Sequence, residues 1–172
     1  METQTASSST SSPSWKYSHH VFISFCGVDT RKNFTDHLYT TLKHKGILTF
    51  RDDEKLERGK NISELFQAIE ESRFAIVVLS PNYAFSKWCL DEVVKIVECT
   101  KQNKLTILPV FYHVNPSDVR KQMGILATRN LTFAEAFAEH ERNHVDIQRL
   151  QAWKAALKEV GNISGWHVQQ HR

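Results

Sequence analysis

The sequence is short of the residues that fasten small secreted or metal-bound folds. It has three cysteines, Cys26, Cys89 and Cys99, an odd number with no C-x-x-C pair. Such a set builds neither a disulfide framework nor a zinc ribbon, and it fits a reducing, intracellular compartment. The six glycines form no G-x-G-x-x-G and no P-loop. A tightly held dinucleotide cofactor is therefore not expected. No apolar run approaches the ~18 residues of a membrane span, and no signal-peptide core follows Met1. No membrane partner is expected. Charge of one sign is also scarce. The net charge of +3 permits weak nucleic-acid contact but does not argue for it. No internal repeat is visible.

What remains reads as one domain. A chain of 172 residues buries enough apolar surface to need no staples. Residues 1–16 are Ser/Thr-rich and nearly without large apolar side chains, so a disordered leader is expected there. The segment contains no Arg, which argues against a transit peptide. From His20 the pattern alternates strand and helix. Strands are expected at about 20–25, 47–50, 74–79 and 105–112, with a short fifth near 125–129. The first helix presents Phe34, Leu38 and Leu42 and ends at Gly46. The second carries Ile62, Leu65, Phe66 and Ile69 at helical spacing. A third runs from about 87 to 101. Asn115-Pro116-Ser117-Asp118 is a strong helix start, and Leu131, Phe133, Ala134 and Phe137 continue the packing. A last helix presents Ile147, Leu150, Trp153, Leu157 and Val160. Alternation of this kind implies a mainly parallel sheet with helices on both faces, a doubly wound α/β fold.

The segment richest in chemistry is Ser86-Lys-Trp-Cys-Leu-Asp-Glu92. It follows the apolar run Phe74–Leu79 and opens the stripe Leu90, Val93, Val94, Val97. Ser86 suits an N-cap, and Asp91 and Glu92 then lie near the positive end of a helix. Glu92 and Trp88 stand one turn apart just past the C-terminal end of a strand, the edge where open α/β sheets bind ligands. On these residues alone Glu92 is equally a helix-start carboxylate. Trp88 is either a pocket wall or core, and Cys89 reads as a small buried residue.

These residues resemble a motif of the Toll/interleukin receptor (TIR) domain, in the form found at the N-terminus of plant intracellular immune receptors. His20–Phe25 with Gly27 and Asp29-Thr30-Arg31 resembles that family's opening strand and loop. Asn33–Leu38 resembles its first helix. Thr49–Asp53 with Leu56 and Arg58-Gly59 resembles its second strand and BB loop. Ile107–Tyr112 with Asn115–Arg120, and Trp153–Trp166, resemble later elements in the correct order. The similarity covers about residues 17–166, leaving 167–172 as an exit segment.

The resemblance implies a flavodoxin-like sheet of five parallel strands in the order 2-1-3-4-5. It also implies an NAD+ hydrolase in which Glu92 is catalytic, with NAD+ or NADP+ as substrate and no bound cofactor. Substrate contacts would come from Phe25, Cys26, Gly27, Val28, Asp29, Thr30, Arg31, Arg58, Gly59, Ser86 and Trp88. Gly27 would allow close approach of a ligand, and Arg31 would pair a phosphate. Asp29 and Thr30 are equally helix N-caps. Asp36 and His37 match the positions through which the family's first helix meets another protomer. The charged BB loop, with eight charged residues among the ten of Arg51–Lys60, would gate the pocket. Signalling in plant defence, on self-association in the cytoplasm or the nucleus, is the implied role. Cys26 and Val28 depart from the Arg and acidic residue usual in the family. That departure supports the alternative of a non-catalytic homotypic interaction module. Nucleic-acid-directed phosphodiester chemistry, known in the family, has no separate signal here. His140-Glu-Arg-Asn-His144 matches H-E-x-x-H. Its surroundings, Glu139–Asp146, hold one apolar residue, Val145, so a solvated helix end is expected and no metal.

Overall fold

Continuous runs of Val, Ile and Phe form strands buried on both faces, and these assemble as a parallel sheet. The computed structural model describes residues 19–51, 62–102, 104–122 and 133–169. Strand β1 spans His19–Phe25, β2 Thr49–Arg51, β3 Ser72–Leu79, β4 Thr106–Tyr112 and β5 Trp166–Val168. They form one sheet in the order β2-β1-β3-β4-β5, and every neighbouring pair is parallel.

The strand period of two sorts the core into two layers. Phe22, Ala75, Val77, Leu79, Ile107 and Phe111 face one side. There they meet helices α3 (Ile62–Glu70), α4 (Lys87–Lys101), α6 (Phe133–Arg142) and α7 (Ile147–Gly161). Val21, Ile23, Phe25, Ile76, Val78 and Val110 face the other side, where α2 (Phe34–His44) contributes Phe34, Leu38 and Leu42. A single turn, α1 (Gly27–Thr30), follows β1, and α5 (Pro116–Lys121) follows β4.

Local chemistry sets the boundaries. Gly46 ends α2 with φ +75°, a left-handed conformation that costs a glycine little. The Asn115 side chain accepts from the Ser117 N–H, and Pro116 takes the first helical position. Asp146 caps α7 by accepting from the N–H groups of Gln148 and Arg149.

Two expectations need correction. The fifth strand was expected near 125–129, which lies outside the described residues. It is Trp166–Val168, pairing Val110 with Trp166 and Tyr112 with Val168. Gly165 makes this possible, because a Cβ there would collide with the Pro109 carbonyl oxygen. Ile147, expected in the core, is 67% exposed at the first turn of α7. Leu150, Trp153, Leu157 and Val160 are buried as expected.

Candidate active site

The site begins at Ser86, whose hydroxyl accepts from the Cys89 N–H at 3.2 Å and starts α4. Five and six residues on, Asp91 and Glu92 point different ways. Asp91 accepts two bonds from Arg149, at 2.6 Å from Nη2 and 3.2 Å from Nε, and one from Trp153 Nε1 at 2.9 Å. It therefore docks α7 on α4, and the contact raises the Arg149 pKa further. Glu92 turns inward under the sheet edge and is only 2% exposed.

Glu92 meets the buried hydroxyl of Ser24, and a second buried hydroxyl, Tyr83, lies behind it. Ser24 lies in phase with Phe22 on β1 and so faces α4. Its hydroxyl donates to Glu92 Oε2 at 2.6 Å. The same Ser24 oxygen is 2.7 Å from the Tyr83 hydroxyl, which is also 3.1 Å from the Cys89 carbonyl oxygen. Tyr83 belongs to a 3-10 turn, Tyr83–Phe85, between β3 and α4. Burial first, then the negative charge near Cys89 and Glu92, pushes the Tyr83 phenol well above its ordinary value.

Asp29 fastens that turn. It accepts from Ser80 Oγ at 2.5 Å and from the Asn82 N–H and Nδ2, both at 2.8 Å. Helix capping, the alternative reading of Asp29 and Thr30, is therefore not their role. Asn33 caps α2 instead, accepting from the Phe34 N–H, and Thr30 spends its hydroxyl on Thr35 at 2.7 Å. His140, on α6, holds the same turn by donating from Nε2 to the Ala84 carbonyl at 2.8 Å. The segment His140–His144, expected as a solvated helix end, is solvated only from Glu141 onward. His140 is buried, whereas His144 lies beyond the end of α6 with φ +58°, so the pair does not share a helical face. No metal-holding cluster is found among the described residues.

Cys26 and Cys89 meet beside Glu92. Their contact pulls the Cys26 thiol below its ordinary value, and with burial it pushes that of Cys89 well above. Cys89 Sγ also donates to the Phe25 carbonyl at 3.3 Å. Trp88, one turn before Glu92, is half-buried against the same core layer.

The remaining expected residues are spread more widely. Phe25 packs on the α2 side of the sheet, and the Arg31 guanidinium sits 4.8 Å over its ring. A Cβ at Gly27 would stand 3.0 Å from Arg31 Nε, so this glycine makes room for Arg31. Glu92 is on the opposite face of the sheet. Val28 is 91% exposed on the outside of α1. Asp36 and His37 are exposed on α2, with Asp36 3.2 Å from Arg51 Nη1. Arg58 and Gly59 lie outside the described residues.

Ser24 and Tyr83 were missed from sequence. The signal for Ser24 was a hydroxyl at a core-facing position of an apolar strand. Tyr83 carried no such signal, because its place depends on a turn that only Asp29 and His140 define.

A parallel sheet in the order β2-β1-β3-β4-β5, with helices on both faces, is the architecture of a TIR domain. The TIR domain family model matches residues 18–172, and the chain belongs to that family. It is 52% identical over 170 residues to the disease resistance protein RPV1 of Vitis rotundifolia, covering 97% of this chain and 11% of that protein. It is 52% identical over 160 residues to the TMV resistance protein N of Nicotiana glutinosa, covering 92% of this chain and 13% of that protein. The chain thus spans only a small part of the curated relatives it matches. Among solved structures it resembles the TIR domains of the activated Roq1 resistosome that directly recognises the pathogen effector XopQ. The identity is 51%, the TM-score 0.76, and 88% of each chain is covered. Among the described residues, no helix is long and apolar enough to cross a membrane.

Proposed function

We propose that this TIR domain cleaves NAD+ between nicotinamide and ribose, and that it does so as a signalling step in disease resistance once its protomers assemble. The observation that carries the reading is Glu92, a carboxylate sequestered at the C-terminal edge of the sheet and gripped by a hydroxyl at 2.6 Å. Most glycosidases use two carboxylates, because the leaving oxygen needs a proton. Nicotinamide in NAD+ is already a cationic pyridinium. It departs neutral with the electron pair of the C1′–N bond and needs no acid. What remains is a ribose with oxocarbenium character, which one nearby anion stabilises. Water then bonds to C1′ and loses a proton, giving an ADP-ribose product. NADP+ carries the same bond and is the second candidate substrate. In this reading Trp88, one turn before Glu92 and half-buried, bounds the pocket on the nicotinamide side.

Glu92 is nearly closed to solvent, at 2% exposure. Substrate entry requires displacement of what covers it. Assembly supplies a reason for that change, and the likeness to the TIR domains of an activated resistosome supports an assembled active form. The relatives named as disease resistance proteins support the signalling role.

Concentrated protein incubated with NAD+ tests the reading. Nicotinamide release by the wild type and none by Glu92→Gln is the expected result. Release at equal rates by both would end the assignment of Glu92. A second reading, a non-catalytic interaction module, draws on Cys26. Its buried thiol stands where an Arg is usual in the family, and a thiol offers no forked pair of donors to a phosphate. No release at any concentration, with self-association intact, would favour it.

A further inference from the structure

Three hydrogen-bonded links run through the buried interior beside Glu92, and only two hydroxyl hydrogens are present to fill them. The links are Ser24 Oγ to Glu92 Oε2 at 2.6 Å, Ser24 Oγ to Tyr83 Oη at 2.7 Å, and Tyr83 Oη to the Cys89 carbonyl at 3.1 Å. A carbonyl oxygen only accepts, and so does an ionised carboxylate. If Glu92 is ionised, the Ser24 hydrogen goes to Glu92 and Tyr83 must choose. Were Tyr83 to donate to the Cys89 carbonyl, two oxygens 2.7 Å apart would face each other with no hydrogen between them. Donation to Ser24 avoids that, and it leaves the longer, 3.1 Å contact of Tyr83 with the Cys89 carbonyl as the one without a hydrogen. The order of lengths, two short and one long, matches this direction. If Glu92 is protonated, its own hydrogen goes to Ser24, Ser24 donates to Tyr83, and Tyr83 donates to Cys89. The direction of both hydroxyls therefore reports the charge of Glu92.

We propose that Ser24 and Tyr83 are positioning residues, a two-hydroxyl relay that fixes the Glu92 side chain and holds it as the anion inside a water-poor site. The inference rests on the reading of Glu92 as the reacting carboxylate. Burial alone favours the neutral acid, and donors aimed at the charged form oppose it. Chains of hydroxyls polarise one another, so Tyr83 strengthens the bond Ser24 makes. Among the described residues, the titratable neighbours of Glu92 include Tyr83 from the turn and Cys89 from α4, with Cys26 beyond Cys89. Tyr83 and Cys89 are both driven toward their neutral forms, so they stay as donors across the physiological range.

The experiment compares wild type, Ser24→Ala and Tyr83→Phe, each checked for folding by circular dichroism. Two quantities are read. The first is the titration of the Glu92 side-chain carboxyl by carbon NMR, assigned by its absence in Glu92→Gln. The second is the pH profile of nicotinamide release. Both variants are expected to move the Glu92 titration upward, with Ser24→Ala the larger shift. Both should move the acid limb of the rate profile with it, and Ser24→Ala should lower kcat about 10- to 100-fold with KM nearly unchanged. An unmoved Glu92 titration in both variants overturns the relay, whether or not NAD+ is cleaved. A shifted titration in a protein that releases no nicotinamide upholds the relay and removes the cleavage reading instead. Because Tyr83→Phe deletes one oxygen and keeps the ring, it decides the matter even if Ser24→Ala fails to fold.

Discussion

Glu92 illustrates how an acidic side chain tolerates burial. Near a helix N-terminus a carboxylate gains ~0.3–1 kcal/mol from the macrodipole at an exposed position. Burying one without partners costs far more, so a buried polar group must find donors. Ser24 supplies one at 2.6 Å. Glu92→Gln keeps the volume and the donor contact while removing the charge. Its melting temperature is expected to stay within a few degrees of wild type while nicotinamide release is lost, as calorimetry and a product assay would show. A fall of tens of degrees would mean that the charge itself holds the fold. Cys26 tests the same edge from the other side. Arg at 26 must force its bulk against Cys89, costing about 1–3 kcal/mol as overpacking does. Glu at the exposed position 28 should change stability by less than ~0.5 kcal/mol. The double change Cys26→Arg, Val28→Glu is expected to lose stability yet raise nicotinamide release. A double variant slower than wild type would show that Cys26 is well matched to this loop.

At the scale of elements, α4 is held from both sides. Glu92 ties it to β1, and Asp91 ties it to α7 through Arg149 and the buried indole N–H of Trp153. Removing the Asp91 carboxylate strands that N–H inside the core. Asp91→Ala should therefore cost about 1–3 kcal/mol in urea unfolding with an unchanged m-value. A loss under ~0.5 kcal/mol would place the docking energy in apolar contacts alone. Helix α2 is different, because its outer face carries Asp36 and His37 in the open. The Asp36–Arg51 pair is 54% exposed on the Asp36 side, and exposed pairs contribute ~0–1 kcal/mol. Replacing Asp36 and His37 together by Ala should leave the melting temperature nearly unchanged and weaken self-association by sedimentation. Unchanged sedimentation would remove this face from the assembly.

Across the whole molecule, proton binding sets an alkaline limit. An unfolded chain releases the Cys89 proton near its ordinary value of 9.0 and the Tyr83 proton near 10.0. The folded chain keeps both protons, because both values are raised. It then binds more protons than the unfolded chain, so stability falls as pH rises through 9 and 10. Cys26, shifted downward, opposes this only around and below its ordinary value. Melting temperatures from pH 7 to above 10 should therefore decline, and less steeply in Tyr83→Phe. Equal slopes would show that Tyr83 titrates as freely folded as unfolded. If assembly opens the Glu92 site, specific activity should climb with protein concentration. A constant specific activity down to the monomer would show that one protomer suffices.

Much of the fold was legible because parallel strands and amphipathic helices leave strong periods. His20–Phe25, Phe74–Leu79 and the stripe from Leu90 to Val97 carry their element type in local sequence, as do the Ser86 and Asn115 caps. Glu92 and Trp88 were legible as a pair, because helical spacing alone places them one turn apart. The fifth strand was not. Trp166–Val168 is three residues long and is selected by its pairing with β4 and by the close approach that Gly165 permits. Nor was the division of labour at the sheet edge. Whether Asp29 caps a helix or anchors the Tyr83 turn depends on partners 51 and 53 residues away. Ser24 and Glu92 are 68 residues apart. Local sequence determined which residues could form strands, helices and caps. Only the tertiary structure decided which buried hydroxyls meet the carboxylate, because hydrogen bonds inside a core form between whatever polar groups the packing leaves facing each other.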